Sequence, residues 1–250
     1  MQTGALKLDN PFRPHALDLV ALARAPARID LWAEAITAAG VSAMAEVGVW
    51  KGAFSKAILE RCAGVDRYFM IDPWASLPDW NKPLNVGQKR FDDVFDEAMR
   101  ATEFAAARRT VLRGRTKEMA GAIPDGALDF VYIDGDHTLR GIAIDLQRML
   151  PKVREGGFVG GDDFSPSPWQ HDARYEPTLV FPYAVFFAEA MDLPVFALPH
   201  DQFLIRNASA EGFSFTDLTG RYGDLTMREL QPPATPARLL RSAARRLGAG

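Results

Sequence analysis

Short apolar segments and amphipathic stretches alternate through the middle of the chain. The strand candidates are 43–48, 67–72, 110–114, 128–134 and 156–162, and the helix candidates among them are 52–63, 88–105, 116–123 and 138–150. Helical spacing is clearest in 88–105, where Phe91, Val94, Phe95 and Met99 share one face. Because the strands are apolar on both sides, this alternation predicts a parallel sheet with helices on both faces.

A helical segment precedes this alternating region. Residues 14–40 predict one or two helices, in which Trp32 and Ile36 pack as a cover. We therefore predict an N-terminal helical cover over 1–40, followed by a core over 41–208.

The predicted core ends in a helix and a hairpin. Residues 178–191 predict a helix that Pro182 kinks or shortens. Two strand candidates follow, 194–199 and 201–207, and only His200 separates them. Such a short connection predicts an antiparallel pair.

Composition limits the classes of function. The 250 residues, 48% of them hydrophobic, suit one domain with small additions, and the net charge of -3 gives no general attraction for nucleic acid or an anionic membrane. The single Cys62 excludes an internal disulfide and fits a reducing compartment. Without a spanning apolar run or a signal-peptide pattern, a cytoplasmic location is expected.

A C-terminal extension, 209–250, ends in an arginine-rich tail, which predicts a solvated terminal helix or, alternatively, a basic binding surface.

Acidic side chains lie at the ends of four predicted strands. They are Glu46, Asp72, Asp134 and Asp162. Ligands of parallel sheets bind beyond the carboxyl ends of the strands, which meet at one edge. The pattern therefore predicts an acidic ligand-binding edge.

The stretch EVGVWKGAF joins the first strand to the first helix. Gly48 and Gly52 allow a tight turn and a close backbone approach to a ligand, although the spacing differs from the dinucleotide fingerprint and also suits an ordinary turn. Asp72 ends the second strand, where a carboxylate can accept both hydroxyl hydrogens of a ribose or be a surface acid. The ring of Trp74, two residues later, is expected to lie against a ligand.

Four motifs in this order resemble class I S-adenosylmethionine-dependent methyltransferases. They are E-x-G-x-x-x-G at 46–52, I-D-P-W at 71–74, D-F-V-Y-I-D-G-D-H at 129–137 and G-G-F-V-G-G-D-D at 156–163. The resemblance extends to the branch with small-molecule O-methyltransferases such as the macrocin and novobiocin sugar enzymes. It implies a Rossmann-like α/β fold with a seven-stranded, mostly parallel sheet, helices on both faces, and an antiparallel last strand.

The resemblance also implies a set of site residues. Glu46 and the Gly48 turn would approach the methionine part of the cofactor, Asp72 would hold the ribose hydroxyls, and the loop after the third strand would flank the adenine. Asp134 would lie where cofactor and substrate meet. The complete expected cofactor set is Glu46, Gly48, Gly52, Asp72, Trp74, Arg115, Thr116 and Asp134.

Asp134, Asp162 and Asp163 predict a metal site with hard oxygen ligands. Three neighbouring carboxylates repel one another without a cation, and Mg²⁺ favours such ligands. In the resembling metal-dependent O-methyltransferases, acids at the matching positions bind a divalent ion. Mg²⁺ or Mn²⁺ would bind the substrate hydroxyl, lower its pKa and orient it toward the sulfonium methyl. The alternative for Asp163 is an ordinary loop acid.

Two residues are candidates for the general base. Asp136 is the base that the resemblance suggests, and its alternative role is to cap the following helix. His137 has an ordinary pKa that suits neutral pH, and its alternative is a solvated first-turn histidine. His171, in a later loop, belongs either to a substrate lid or to an ordinary surface loop.

These observations predict a metal-dependent O-methyltransferase acting on a hydroxyl of a small molecule, a sugar or a secondary metabolite. The alternatives are a metal-dependent hydrolase, which would not need Asp72 or the Glu46 turn, and a non-catalytic cofactor-binding module. The expected partner is a small hydroxylated substrate, without nucleic acid or membrane, and a homo-oligomer is possible.

Overall fold

The structure is a computed structural model that describes residues 12–172 and 174–223. The strands there are β1 Ala43–Val47, β2 Arg67–Asp72, β3 Arg109–Arg113, β4 Leu128–Ile133, β5 Val153–Gly161, β6 Pro194–Leu198, β7 Gln202–Arg206 and β8 Ser214–Asp217. The α-helices there are α1 Leu19–Leu22, α2 Arg28–Ala38, α3 Ala53–Arg61, α4 Gln88–Ala101, α5 Thr116–Met119, α6 Leu139–Met149 and α7 Val180–Ala190. Within these ranges no helix has the length and apolar character to cross a membrane. The predicted arginine-rich tail and the first 11 residues of the predicted cover lie outside them.

The strands form one sheet in the order β3-β2-β1-β4-β5-β7-β6-β8. β7 runs antiparallel to both β5 and β6, which confirms the predicted hairpin, and the other pairs are parallel. The predicted count of seven strands is corrected to eight, because β8 pairs with β6 at the sheet edge. Three of the four residues of β8, SFTD, are polar, and the strand is partly exposed, so it lacks the apolar run that predicted the other strands. The sheet therefore continues past residue 208.

Both faces of the sheet are buried, because successive strand residues point to opposite sides. In β1, Ala43, Ala45 and Val47 join the cluster beneath α6 and α7, whereas Met44 joins the cluster beneath α2 and α3. Trp32 of α2 is fully buried, with its ring centroid 5.2 Å from that of Phe130. The predicted packing of this segment onto the sheet is therefore present.

The site is positioned by the order of the strands. From β1 the chain proceeds outward to β2 and β3, whereas β4 lies on the other side of β1 and leads to β5. The loops after β1 and β4 therefore leave a crevice between them, the usual ligand position in such sheets. Gly48 and Asp134 lie at this point.

Candidate active site

A cavity of about 650 Å³ opens at the carboxyl edge of β1, β2 and β4. The predicted site residues that line it are Glu46, Gly48, Asp72, Arg115, Thr116, Asp134, Asp136, His137 and Asp163. Gly52, Trp74 and Asp162 do not line it. The topology thus brings nine of the twelve predicted residues into one space.

The two glycines of the first turn make close packing possible, each against a different neighbour. Gly48 has a φ of 86°, and a Cβ atom there would lie 2.0 Å from the carbonyl oxygen of Asp134. Gly52 has a φ of 74°, and its Cβ would lie 3.2 Å from the Cα atom of Ala98 on α4. The expectation that Gly52 approaches a ligand is therefore corrected, because its open side faces a packed helix.

Asp72 fixes the same turn through its carboxylate. Its Oδ2 atom accepts hydrogen bonds from the backbone N–H groups of Val49 and Trp50, both at 2.9 Å. Its Oδ1 atom accepts from the N–H of Trp74 at 2.7 Å. Burial raises the pKa of Asp72, and these three N–H donors oppose that shift. A carboxylate has about four acceptor positions, so one remains for a ligand hydroxyl.

The ring of Trp74 lies away from the cavity, which corrects the expectation that it contacts a ligand. The residue is fully buried, its φ is 40°, and its Nε1 atom donates to the carbonyl oxygen of Trp50 at 2.8 Å. Its ring meets that of Phe95 edge-on at 5.1 Å. The left-handed backbone turns the ring into the core beneath α4. Trp50, which the sequence did not single out, lines the cavity in its place.

Glu46 lines the cavity, but its carboxylate hydrogen bonds lie within the protein. Its Oε2 atom accepts from the hydroxyl of Tyr68 at 2.7 Å and also contacts the hydroxyl of Ser55. Burial raises the pKa of Glu46 from 4.5 to about 8, although both hydroxyl hydrogen bonds oppose the shift. Glu46 is therefore largely protonated at neutral pH.

The Glu46→Gln variant tests this shift through the pH dependence of stability. A carboxyl whose pKa is raised on folding stabilises the fold below its unfolded pKa, here 4.5, and this contribution is lost as pH rises toward about 8. The glutamine oxygen can still accept from both hydroxyls and does not titrate. We expect the free energy of unfolding of the variant, relative to the parent, to increase steadily from pH 5 to pH 8. A pH-independent difference in denaturant titrations would contradict the shift.

Asp134, His137 and Asp163 form a compact cluster beyond the ends of β4 and β5. One ligand atom from each lies within 4.8 Å of the others. The imidazole Nδ1 contacts Asp163 Oδ2, while its buried Nε2 lies 3.3 Å from Asp134 Oδ1 without a hydrogen bond. Burial lowers the pKa of His137, but the two carboxylates more than reverse this and raise it to about 10. In this arrangement His137 is a cation at neutral pH and cannot accept a proton.

Asp162 points away from this cluster. Its Oδ1 accepts from the side chain of Gln202 at 2.6 Å and from the N–H of Asp163 at 2.8 Å, and its Oδ2 contacts the guanidinium of Arg28. The chain turns at Asp163, whose φ is 58°, and this turn separates the two neighbouring carboxylates. The expected group of three aspartates is thus divided, with His137 rather than Asp162 beside Asp134 and Asp163.

Asp136 lines the cavity, and one of its carboxylate oxygens is held by hydrogen bonds. Its Oδ1 accepts from the indole Nε1 of Trp80 and from the N–H of Thr138, both at 3.1 Å. Within the described residues, no hydrogen bond reaches Oδ2. The cap of α6 is Thr138, whose hydroxyl accepts from the N–H of Gly141 at 3.1 Å, so the capping alternative for Asp136 is wrong. This geometry suits a base that is held by one oxygen and reacts through the other.

The loop between β2 and α4 supplies residues that sequence reasoning missed. Trp80 and Lys82 both line the cavity, and Lys82 is 6% exposed with its Nζ atom 3.2 Å from Thr178 Oγ1. Burial lowers the pKa of Lys82, while Asp136 and Asp163 oppose this shift. His171 also lines the cavity. The loop has no periodic pattern, so no signal in the sequence identified Trp80 or Lys82.

The predicted adenine side of the cavity lies next to this loop. Arg115 and Thr116 both line the cavity, and Thr116 is buried. The guanidinium of Arg115 makes a bidentate pair with Asp79, at 2.6 and 3.0 Å. Arg140 donates to the carbonyl oxygen of Asp79 at 2.7 Å. The ion pair with Arg115 and the hydrogen bond from Arg140 therefore connect the loop before α4 to the segments after β3 and β4.

Comparisons with known proteins agree with this architecture. Residues 45–164 match the family model described as a methyltransferase domain. A proposed caffeoyl-CoA O-methyltransferase from Staphylococcus aureus has a similar structure, with a TM-score of 0.54, 14% identity, and coverage of 71% of this chain and 81% of that one. No curated protein matches in sequence.

Two further solved structures share the fold. The O-methyltransferase NovP has a TM-score of 0.50 and 17% identity, with 70% of this chain and 76% of that one covered. The cofactor-bound protein Rv0187 from MTB has a TM-score of 0.50 and 16% identity, with 78% and 88% covered. At these identities the structural likeness establishes the fold alone.

Proposed function

We propose that this S-adenosylmethionine-dependent methyltransferase transfers the methyl group to a hydroxyl oxygen of a small molecule, a sugar or a secondary metabolite. The observation that carries the proposal is the carboxylate of Asp136, which lines the cavity, is held at Oδ1 by two donors and accepts no hydrogen bond at Oδ2 from the described residues. A hydroxyl acceptor must lose a proton during transfer, and this oxygen can take it. A cavity of about 650 Å³ has room for the cofactor and a small acceptor together.

The chain's own residues have separate parts in this reaction. The turn at Gly48, the remaining acceptor position of Asp72, and the Arg115–Thr116 segment bind and orient the cofactor. Asp136 accepts the hydroxyl proton as the oxygen–carbon bond forms and the carbon–sulfur bond of the sulfonium breaks, which leaves a neutral thioether. Because both reactants are held in line in one cavity, positioning contributes a large part of the rate.

A divalent ion is part of the proposal, and Asp134 and Asp163 would hold it. The fit rests on their carboxylate oxygens, which suit Mg²⁺ or Mn²⁺ and lie within 4.8 Å of one another in one cluster. Asp162 would become the third carboxylate ligand once its ion pair with Arg28 is broken. When bound, such an ion lowers the pKa of the acceptor hydroxyl.

Methyl transfer is expected to depend on this ion. A panel of hydroxylated small molecules is incubated with S-adenosylmethionine, and O-methylated products are identified by mass spectrometry, with and without EDTA. We expect EDTA to suppress product and Mg²⁺ or Mn²⁺ to restore it. Asp134→Ala, Asp162→Ala and Asp163→Ala should each lose the metal-stimulated part. Full activity in a strong chelator would contradict the metal requirement.

The same assay separates the other functions. Cofactor binding without any methylated product would favour a binding module, and metal-dependent cleavage without use of the cofactor would favour a hydrolase. Methylation only of nitrogen or sulfur acceptors would overturn the hydroxyl assignment. The division into 1–40, 41–208 and 209–250, a cytoplasmic location and a homo-oligomer stay predictions.

A further inference from the structure

We propose that Arg28 is a built-in cation that competes with the divalent ion for Asp134 and Asp162, so that helix α2 sets the metal affinity of the site. The inference rests on the proposed metal dependence and adds a residue to it that the motifs do not contain. Arg28 is the first residue of α2 and lies 106 positions before Asp134 in the sequence.

The guanidinium of Arg28 lies between two of the proposed ligands. Its Nη1 atom is 3.2 Å from Asp134 Oδ2 and also contacts Asp162 Oδ2. The side chain of Arg28 is 35% exposed, and those of Asp134 and Asp162 are 25% and 19% exposed. The guanidinium thus neutralises oxygens that a divalent ion would need.

Helix α2 and Asp162 both form hydrogen bonds with the side chain of Gln202, and this shared partner fixes Arg28 beside Asp162. Trp32 of α2 is buried, and its Nε1 donates to Gln202 Oε1 at 2.7 Å. The amide nitrogen of Gln202 donates in turn to Asp162 Oδ1 at 2.6 Å. One buried glutamine therefore holds both the helix that carries Arg28 and the carboxylate that Arg28 contacts.

A divalent ion and the guanidinium compete for the negative charge of these two carboxylates. Two cations in contact with the same carboxylate repel each other strongly in a partly buried site. Arg28 in its present position therefore weakens binding of the ion. The cavity that Arg28 lines gives its partly exposed side chain space to move, so displacement needs no change in α2.

The test is a calorimetric titration of the full chain with Mn²⁺. Arg28→Gln and Arg28→Ala are expected to bind Mn²⁺ about tenfold more tightly than the parent. Either substitution removes the competing cation and frees both carboxylates from their partly exposed ion pairs. Arg28→Lys, which keeps the charge, should remain nearer the parent. Arg24→Ala is the matched control, because it removes a positive charge just before α2 from an exposed side chain with no contact to the aspartates. It should leave the affinity unchanged.

A second measurement examines the ion-free protein. In chelator, Arg28→Gln should melt at a lower temperature than the parent, because loss of the guanidinium leaves the carboxylates to repel each other. Saturating Mn²⁺ should reduce this difference in melting temperature. Unchanged or weaker Mn²⁺ binding by Arg28→Gln and Arg28→Ala would overturn the competition, even if the parent binds the ion. If neither parent nor variants bind Mn²⁺, the metal proposal and this inference both fail. Methyl transfer by the same samples then decides whether the methyltransferase proposal stands.

Discussion

The Asp136→Asn variant is expected to turn over about 100- to 10,000-fold more slowly than the parent, the usual effect of a lost general base. The amide cannot take up the hydroxyl proton, but it has nearly the same shape as the carboxylate. Its oxygen can still accept from the indole of Trp80 and the N–H of Thr138, as Asp136 Oδ1 does at 3.1 Å. Cofactor affinity and metal affinity should therefore remain near those of the parent.

The measurement is single-turnover methyl transfer at saturating cofactor, together with calorimetric binding of S-adenosylmethionine and Mn²⁺. His137→Ala is the rival variant in the same assay. If His137 were the base, its loss would have the larger effect and Asp136→Asn a small one. The contact of His137 Nδ1 with Asp163, and the Oδ2 of Asp136 that accepts no hydrogen bond among the described residues, favour Asp136. A rate for Asp136→Asn within a few-fold of the parent would rule out Asp136 as the base.

The main elements of the fold could be predicted because each is encoded locally. The apolar strands and the face of α4 depend on periodicity within a few residues. The acids at the carboxyl ends of β1, β2 and β4 follow from the same pattern, since parallel strands gather these ends at one edge. For this reason the sequence predicts Glu46, Asp72 and Asp134 at the edge of the sheet where the cavity lies.

The remaining site residues depend on directions and distances that a motif does not encode. Trp74 and Gly52 occupy motif positions, but a φ of 40° turns the indole of Trp74 inward and the packing of Ala98 closes the space beside Gly52. Trp80 lies in a loop without periodicity. Arg28 reaches the acidic edge only because the packing of Trp32 fixes α2 against the sheet.

The division of the aspartates has the same origin. Asp162 and Asp163 are neighbours in sequence, so the motif suggests a shared ligand. The chain turns at Asp163, with a φ of 58°, and the two side chains meet different cations, Arg28 and His137. Long-range packing of α2 and α6 therefore decides which carboxylates are open to an ion, and only the three-dimensional structure contains that information.

The Asp72→Ala variant is expected to lose affinity for S-adenosylmethionine by roughly tenfold or more, since charge-assisted hydrogen bonds contribute about 1.5 to 3 kcal/mol each. Two causes act together. The ribose would lose its acceptor, and the N–H groups of Val49, Trp50 and Trp74 would lose theirs, which loosens the turn beside the cofactor. Calorimetry on a variant that still melts cooperatively measures the combined loss.

A ligand without ribose hydroxyls separates the two causes. The parent and Asp72→Ala are each titrated with S-adenosylhomocysteine and with its 2′,3′-dideoxy analogue, which forms a double cycle between the carboxylate and the hydroxyls. If Asp72 binds the ribose, the parent should prefer the hydroxylated ligand and the variant should lose most of that preference. A loosened turn alone would lower the affinity for both ligands by the same factor. Equal losses for the two ligands would therefore mean that Asp72 supports the turn and does not contact the ribose.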